Sequence, residues 1–205
     1  LGIQAAWHDG DVAFGGAPVW TDSTKSVVVS GDVILDNAEE LRSTLGLADA
    51  EPGELLAELC AKHGADAGLH ALGMYGVAVW DTREKHLKLL RDGVGARTLY
   101  YARDGQTWWF AARLRALRGC PALSGELSLT ALRNYLTYAF VPGGETMWRD
   151  VSEVRPGTAV VAPTGEAVNY WEPEEGQWDP EATIEEHAGR VREAVDDAVR
   201  VSLPQ

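Results

Sequence analysis

Cysteine is scarce in this sequence: its 205 residues hold two, Cys60 and Cys120. That is too few for a disulfide framework, so a reducing cytoplasm is the expected location. Cys60 and His63 have the spacing of one metal-ligand pair, but no second pair accompanies them, and no metal site is expected. Lysine is nearly as rare, at four residues, and acidic residues outnumber basic ones 31 to 18, for a formal charge of −13. A free-standing nucleic-acid binder needs Lys and Arg gathered on one face, so that class is excluded. The acidity reads as a source of solubility. No apolar run approaches the roughly 18–20 residues of a membrane span. No basic segment with an apolar core follows Leu1, so no signal peptide is expected. A Leu at residue 1 suggests a natural N-terminus further upstream.

What remains is an ordinary globular composition, 45% apolar and 24% charged, enough for one sizeable domain with a short appendage. "KSVVVSGDVIL" (25–35) is rich in β-branched residues and reads as extended. "DNAEELRSTLG" (36–46) reads as a helix stopped by Gly46. "EPGELLAELCAKHG" (51–64) reads as a second, with Leu55, Leu56, Leu59 and Cys60 on one face and Gly64 at its end. Strands are expected at 74–80, 87–92, 98–104 and 107–113, the last two turning at Asp104-Gly105, a strong hairpin dipeptide. "ARLRALRG" reads as a short helix, and "SLTALRNYLTYAF" (128–140) as a longer one with Ser128 as N-cap. Residues 141–157 read as loop, and 158–171 as a hairpin turning at Thr164-Gly165. After the acidic linker "EPEEGQWDP" (172–180), Ile184, Ala188, Val191, Val195 and Ala198 mark one face of a helix opened by the capping-box pair Thr183 and Glu186. Hairpins mixed with helices point to α+β, with a sheet that needs cover on both faces.

Gly93 and Gly95 raise the question of a phosphate loop. Such a loop needs its glycines between a strand and a helix, so that helical N–H groups face the anion. "RDGVGARTLYY" runs from strand to strand, so the glycines are expected to shape a bend. Tyr100, Tyr101, Trp108, Trp109 and Phe110 are of a kind that stacks on bases, but on paired strands of an acidic chain they are expected to pack a sheet. His8, His63, His70, His86 and His187 are expected at the surface or at helix edges, and no Ser/His/Asp set has supporting context. The acidic linker is expected to be solvated rather than metal-binding.

"LGMYGVAVWDTREKHLKLLRDGVGARTLYYARDGQTWWFAARLRAL" resembles the glutaminase domain of the asparagine synthetase family, a class II glutamine amidotransferase. The family pattern there runs N-G-M-F-A-F-A-x-W-D, then A-R-D-x-x-G-x-K-P-L-Y-Y, then F-A-S-E-x-K-A-L. "NYLTYAFVPGGETMWRDVSEVRPGTAVV" is similar to Y-L-x-x-x-x-V-P-x-x-x-T-x-F-x-x-V-x-x-L-P-P-G, and "NYWEP" to the Y-W-x-P exit. Residues 25–180 are covered almost continuously. The resemblance implies an N-terminal-nucleophile-type α/β/β/α sandwich of two antiparallel sheets, truncated at its N-terminus. It also implies a division at 178/179: an amidotransferase-like domain over 1–178, then over 179–205 a linker and first helix leading to an ATP-pyrophosphatase synthetase domain. The S-G-G-x-D-S loop of that domain would lie beyond Gln205. ATP and Mg would be its cofactors, with none in this chain.

The family's chemistry uses an N-terminal Cys as nucleophile and its α-amine as base, an Asn-Gly pair as oxyanion hole, and an Arg and an Asp to hold the glutamine. This chain departs from that pattern. No Cys lies near residue 1, and the C-G-I-A-G and H-R-G-P-D segments are missing. "WHDGDVAFGG" (7–16) resembles W-x-D-G-x-V-A-L-G-H with Gly16 in place of His. N-G-E-I-Y-N falls on "DVILDN" (32–37), so Asp32, Val33 and Ile34 replace Asn, Gly and Glu. A shifted register puts Ser30-Gly31 at the Asn-Gly pair instead. S-D-T-E falls on "EPGE" (51–54), so Pro52 replaces the glutamine-binding Asp.

Three readings follow. The first is a non-catalytic scaffold for an amide-forming ligase, as the resemblance of residues 32–41 to lasso-peptide cyclases and β-lactam synthetases implies, with a peptide or small-molecule amine as nucleophile. The second is an active glutaminase supplying ammonia for asparagine synthesis. The third is a stand-alone interaction domain. The scaffold is the expectation carried forward.

Overall fold

The computed structural model describes residues 7–121, 123–176 and 179–203. The chain divides into two compact units, Leu1–Glu172 and Pro173–Gln205. In the first, short strands β1 (Trp7–Asp9) and β2 (Val12–Phe14) form a hairpin, followed by β3 (Val19–Thr21) and β4 (Val27–Leu35). Helices α1 (Ala38–Leu45) and α2 (Pro52–His63) follow, then β5 (Gly73–Asp81), β6 (His86–Arg91), β7 (Tyr100–Asp104) and β8 (Thr107–Ala111). Helix α3 (Leu129–Tyr138) precedes β9 (Val151–Glu153), β10 (Thr158–Val161) and β11 (Glu166–Asn169).

These strands pair antiparallel into a six-stranded sheet ordered β11-β10-β6-β5-β4-β3 and a three-stranded sheet ordered β8-β7-β9. Helices and antiparallel sheets are thus mixed, as an α+β chain requires. The centre of the larger sheet is buried on both faces, which is why "VVVS" and "VAVW" carry apolar residues in runs rather than in strict alternation. On one face Val27, Val29, Tyr75, Val77, Val79 and Leu90 pack beneath Leu41 of α1 and Leu55, Leu56, Leu59 and Cys60 of α2. Each fully buried leucine contributes about 1.5–3 kcal/mol relative to exposure. On the other face Val28, Ala78, Trp80, Leu89 and Val160 meet Leu99, Val154 and the half-buried Tyr101, Trp108 and Phe110. Tyr100 packs instead with Ala102, Val151, Leu117 and Cys120 on the far side of the small sheet. The aromatic run therefore packs sheets, while Trp109 is 38% exposed.

The glycine stops stand where expected: Gly46, at φ 71°, caps α1 in the left-handed region, and Gly64 ends α2. Several boundaries differ. Helix α1 begins at Ala38 rather than 36, because Asn37 is occupied otherwise, its amide donating to the His70 carbonyl and accepting from the Leu72 N–H. Helix α3 stops at Tyr138, where Ala139 turns left-handed at φ 62°. Ser128 caps it, its Oγ accepting from the Ala131 N–H at 3.2 Å. The stretch 141–157 is not all loop, since it contains β9, held by β7 through Tyr100↔Glu153 and Ala102↔Val151.

The second unit is chiefly helix α4 (Ile184–Ser202). Thr183 Oγ1 accepts from the Glu186 N–H, and the Glu186 carboxylate accepts from the Thr183 N–H at 2.7 Å. None of its described residues is buried. Of the linker, Gln177 and Trp178 lie outside the described residues. No described helix is long and apolar enough to cross a membrane.

Candidate functional site

Asp32, Val33 and Ile34 occupy the last turns of the pleat of β4, opposite Gly76, Tyr75 and Met74 of β5. Side chains alternate across a strand, so Asp32 and Ile34 fall on the same side as Val28, and Val33 on the side covered by helices. Val33 accordingly packs against the helix-side core. Ile34 is 42% exposed. Asp32 meets Arg97: the Arg97 Nε stands 3.2 Å from Asp32 Oδ2, with the two side chains 33% and 59% exposed. The contact is an ion pair without hydrogen-bond geometry, since the buried Nε–H finds no acceptor in line with it.

The shifted register fares differently. Ser30 is buried and its hydroxyl donates to the Pro18 carbonyl at 3.0 Å. Gly31, at φ 152°, leaves no room for a side chain, because a Cβ there would strike the Gly76 carbonyl of the paired strand. Strand packing accounts for both residues.

Pro52 lies elsewhere. It stands in the first turn of α2, where a missing N–H costs nothing. That turn rests on Trp20, so closely that a Cβ on Gly53 would enter the indole. Glu54 accepts from the Glu51 N–H at 2.8 Å, and Glu51 accepts from Trp20 Nε1 at 2.6 Å. The two glutamates flanking Pro52 and Gly53 are therefore committed to capping and packing. Trp20 packs against the helix-side core, and Asp32 faces the opposite side, so the structure does not bring Pro52 and Asp32 together.

A feature the sequence did not announce holds the loop that carries Arg97. Asp92 is fully buried, and its carboxylate accepts from the N–H groups of Ala96 at 2.8 Å, Arg97 at 3.0 Å and Tyr75 at 3.3 Å. Arg91 is buried beside it and donates to the carbonyls of Arg97, Gly95 and Val154 and to the Glu153 carboxylate at 2.7 Å. Gly95 turns this bend at φ 72°. Tyr170 closes the hub from the other end of the domain, donating to the Arg91 carbonyl and standing 3.0 Å from the Tyr75 hydroxyl. Burial pushes the Tyr75 hydroxyl up to about 12 and the Tyr170 hydroxyl higher still, so both stay neutral donors. The "RD" and "AR" flanks of the glycine bend were the available signal; their partners are Tyr75 of β5, Glu153 of β9, Val154 and Tyr170, which local pattern does not reveal.

No described cysteine offers a nucleophile. Cys60 and Cys120 are buried, and burial pushes the Cys60 thiol up to about 12. The position of an N-terminal nucleophile lies outside the described residues. Among the described residues no group of three His, Cys, Asp or Glu could hold a metal ion. His63 and His70 lie against each other at 4.0 Å between ring centroids, their planes tilted by 32°.

The sequence pattern that defines a glutamine amidotransferase domain matches residues 11–171. The chain belongs to the glutamine amidotransferase domain family. Over 202 residues, 94% of this chain and 31% of the relative, the amidotransferase domain is 27% identical to asparagine synthetase [glutamine-hydrolyzing] 1 of Bacillus subtilis (strain 168). It is 32% identical over 113 residues, 52% of this chain and 19% of the relative, to asparagine synthetase [glutamine-hydrolyzing] 3 of Arabidopsis thaliana. Among solved structures it is similar to the glutamine phosphoribosylpyrophosphate amidotransferase of B. subtilis complexed with ADP and GMP, at TM-score 0.48 and 16% identity, covering 78% of this chain and 32% of that one. The chain thus spans about a third of the length of the Bacillus asparagine synthetase it matches.

Proposed function

We propose that this amidotransferase domain is a non-catalytic scaffold within an asparagine-synthetase-type, ATP-dependent, amide-forming ligase. Its two stacked sheets are read as an N-terminal-nucleophile-type α/β/β/α sandwich whose chemistry has been lost. The observation that carries the reading is the Asp32–Arg97 ion pair. An oxyanion hole needs donors aimed at developing negative charge. Asp32, standing where the family pattern has Asn, is acceptor-only when ionised. At about 4 Å and an effective dielectric of ~20, a carboxylate repels an oxyanion by about 4 kcal/mol before screening by solvent and Arg97. Pro52, where the pattern has the glutamine-binding Asp, has no carboxylate, and the carboxylates of Glu51 and Glu54 are engaged.

In such a ligase the partner is a synthetase portion that adenylates a carboxylate with ATP and Mg. An amine of the substrate itself, a peptide or a small molecule, replaces ammonia, as the resemblance to lasso-peptide cyclases and β-lactam synthetases implies. The second reading is an active glutaminase; two observations favour it, relatives that are glutamine-hydrolysing synthetases and a cation, Arg97, beside the site. Calorimetric titration with glutamine separates the two. The scaffold gives no saturable binding up to millimolar glutamine, and a saturable site there overturns it.

A further inference from the structure

Helix α3 leaves most of its large apolar residues exposed, with Leu132 half-buried. Ala131 is its buried residue. Leu129, Leu132 and Leu136 recur at i, i+3 and i+7 and so share one stripe. At ~100° per residue, Ala131 lies nearly opposite that stripe. Leu129 and Leu136 are 74% and 76% exposed, and Leu127, Tyr135, Tyr138 and Phe140 are also exposed. The rings of Tyr138 and Phe140 are 6.2 Å apart. Arg133 is the single charged residue between 127 and 140.

Exposed apolar residues gathered on one helix in this way mark a surface that a protein covers. Three leucines, two tyrosines and a phenylalanine around one cation give the composition of a permanent interface, which resembles a core cut in half, rather than of a transient one. The relatives point to the occupant. This chain matches only 31% of each of two Bacillus asparagine synthetases, so in them the domain travels with a polypeptide about twice its size. We infer that the α3 face, from Leu129 to Phe140, is the surface on which the synthetase portion docks. The inference rests on the scaffold reading and deepens it: the working surface of the domain is α3 rather than the end of β4.

The test measures binding between this chain and the synthetase portion of the same ligase, produced as a separate polypeptide. Leu136→Glu, with Leu129→Glu as a second variant, weakens the complex at least ~30-fold, as loss of a central apolar anchor does. Leu72→Glu, an equally solvent-facing change elsewhere (Leu72 is 59% exposed), leaves it within about twofold. Both leucine variants of α3 keep the melting temperature of the isolated chain, because neither side chain is packed within it. An affinity unchanged by both overturns the assignment of the face and leaves the scaffold reading standing. No complex between a folded wild-type chain and the synthetase portion overturns the two together. Dimerisation of the isolated chain, abolished by Leu136→Glu, makes a second copy the occupant and overturns the inference.

Discussion

Arg97 reaches from the 91–97 bend to Asp32 on β4, Nε to Oδ2 at 3.2 Å, and pairs its charge with the carboxylate. Half-exposed pairs of this kind contribute about 0–1 kcal/mol. Asp32→Asn is therefore expected to change the unfolding free energy in urea by less than about 1 kcal/mol. A larger loss would mean that the pair holds the end of β4 in place.

Gly31 is expected to resist substitution for a steric reason. A Cβ would strike the Gly76 carbonyl in the centre of the larger sheet, and overpacking of this sort costs about 1–3 kcal/mol. Gly119, with nothing within 4 Å of its added Cβ, is the control, and Gly119→Ala should stay within about 0.5 kcal/mol of wild type. Equal effects of Gly31→Ala and Gly119→Ala in chemical denaturation would contradict the packing described here.

Asp92 ties three backbone N–H groups to a fully buried carboxylate. Asp92→Ala leaves those three N–H groups without their acceptor and is expected to cost about 3 kcal/mol. Asp92→Asn keeps one acceptor oxygen and should lose less. Denaturant melts of the two variants check the order.

The neighbouring imidazoles of His63 and His70 predict a pH dependence. Burial, then the charges of His70 and Lys62, hold His63 below its ordinary value of 6.5, with Asp66 opposing. The folded state thus binds this proton less readily than the unfolded chain. Its contribution is fully present above pH 6.5 and is lost as pH falls through the lowered value. The melting temperature should decline between pH 7 and 5.5, and His70→Gln should flatten that decline. Equal slopes for wild type and variant would sink the idea.

Much of the helix-side layer was legible. Leu55, Leu56, Leu59 and Cys60 repeat at helical spacing, and Gly46 and Gly64 mark two stops, because these signals are local. Glu51 was missed as the cap of α2, although Glu51 and Glu54 have capping-box spacing, because glutamate is an uncommon cap. Strand β9 was missed since its three residues pair with β7, a partner distant in sequence. Helix α3 was visible as a helix with Ser128 as its cap, but not which face it buries, because that depends on partners distant in sequence. Likewise Asp32 could be placed on a strand from sequence, whereas Arg97 and Asp92 depend on how the 91–97 bend folds back onto β4, β5 and β9.

Glutamate release from glutamine, by the protein with its natural N-terminus, tests the central claim most directly. The scaffold reading predicts no release above the uncatalysed rate, in wild type and in Asp32→Asn alike, since one amide does not restore the carboxylate absent at Pro52. Release by the wild-type protein that a thiol-alkylating reagent abolishes would contradict it and establish an active glutaminase.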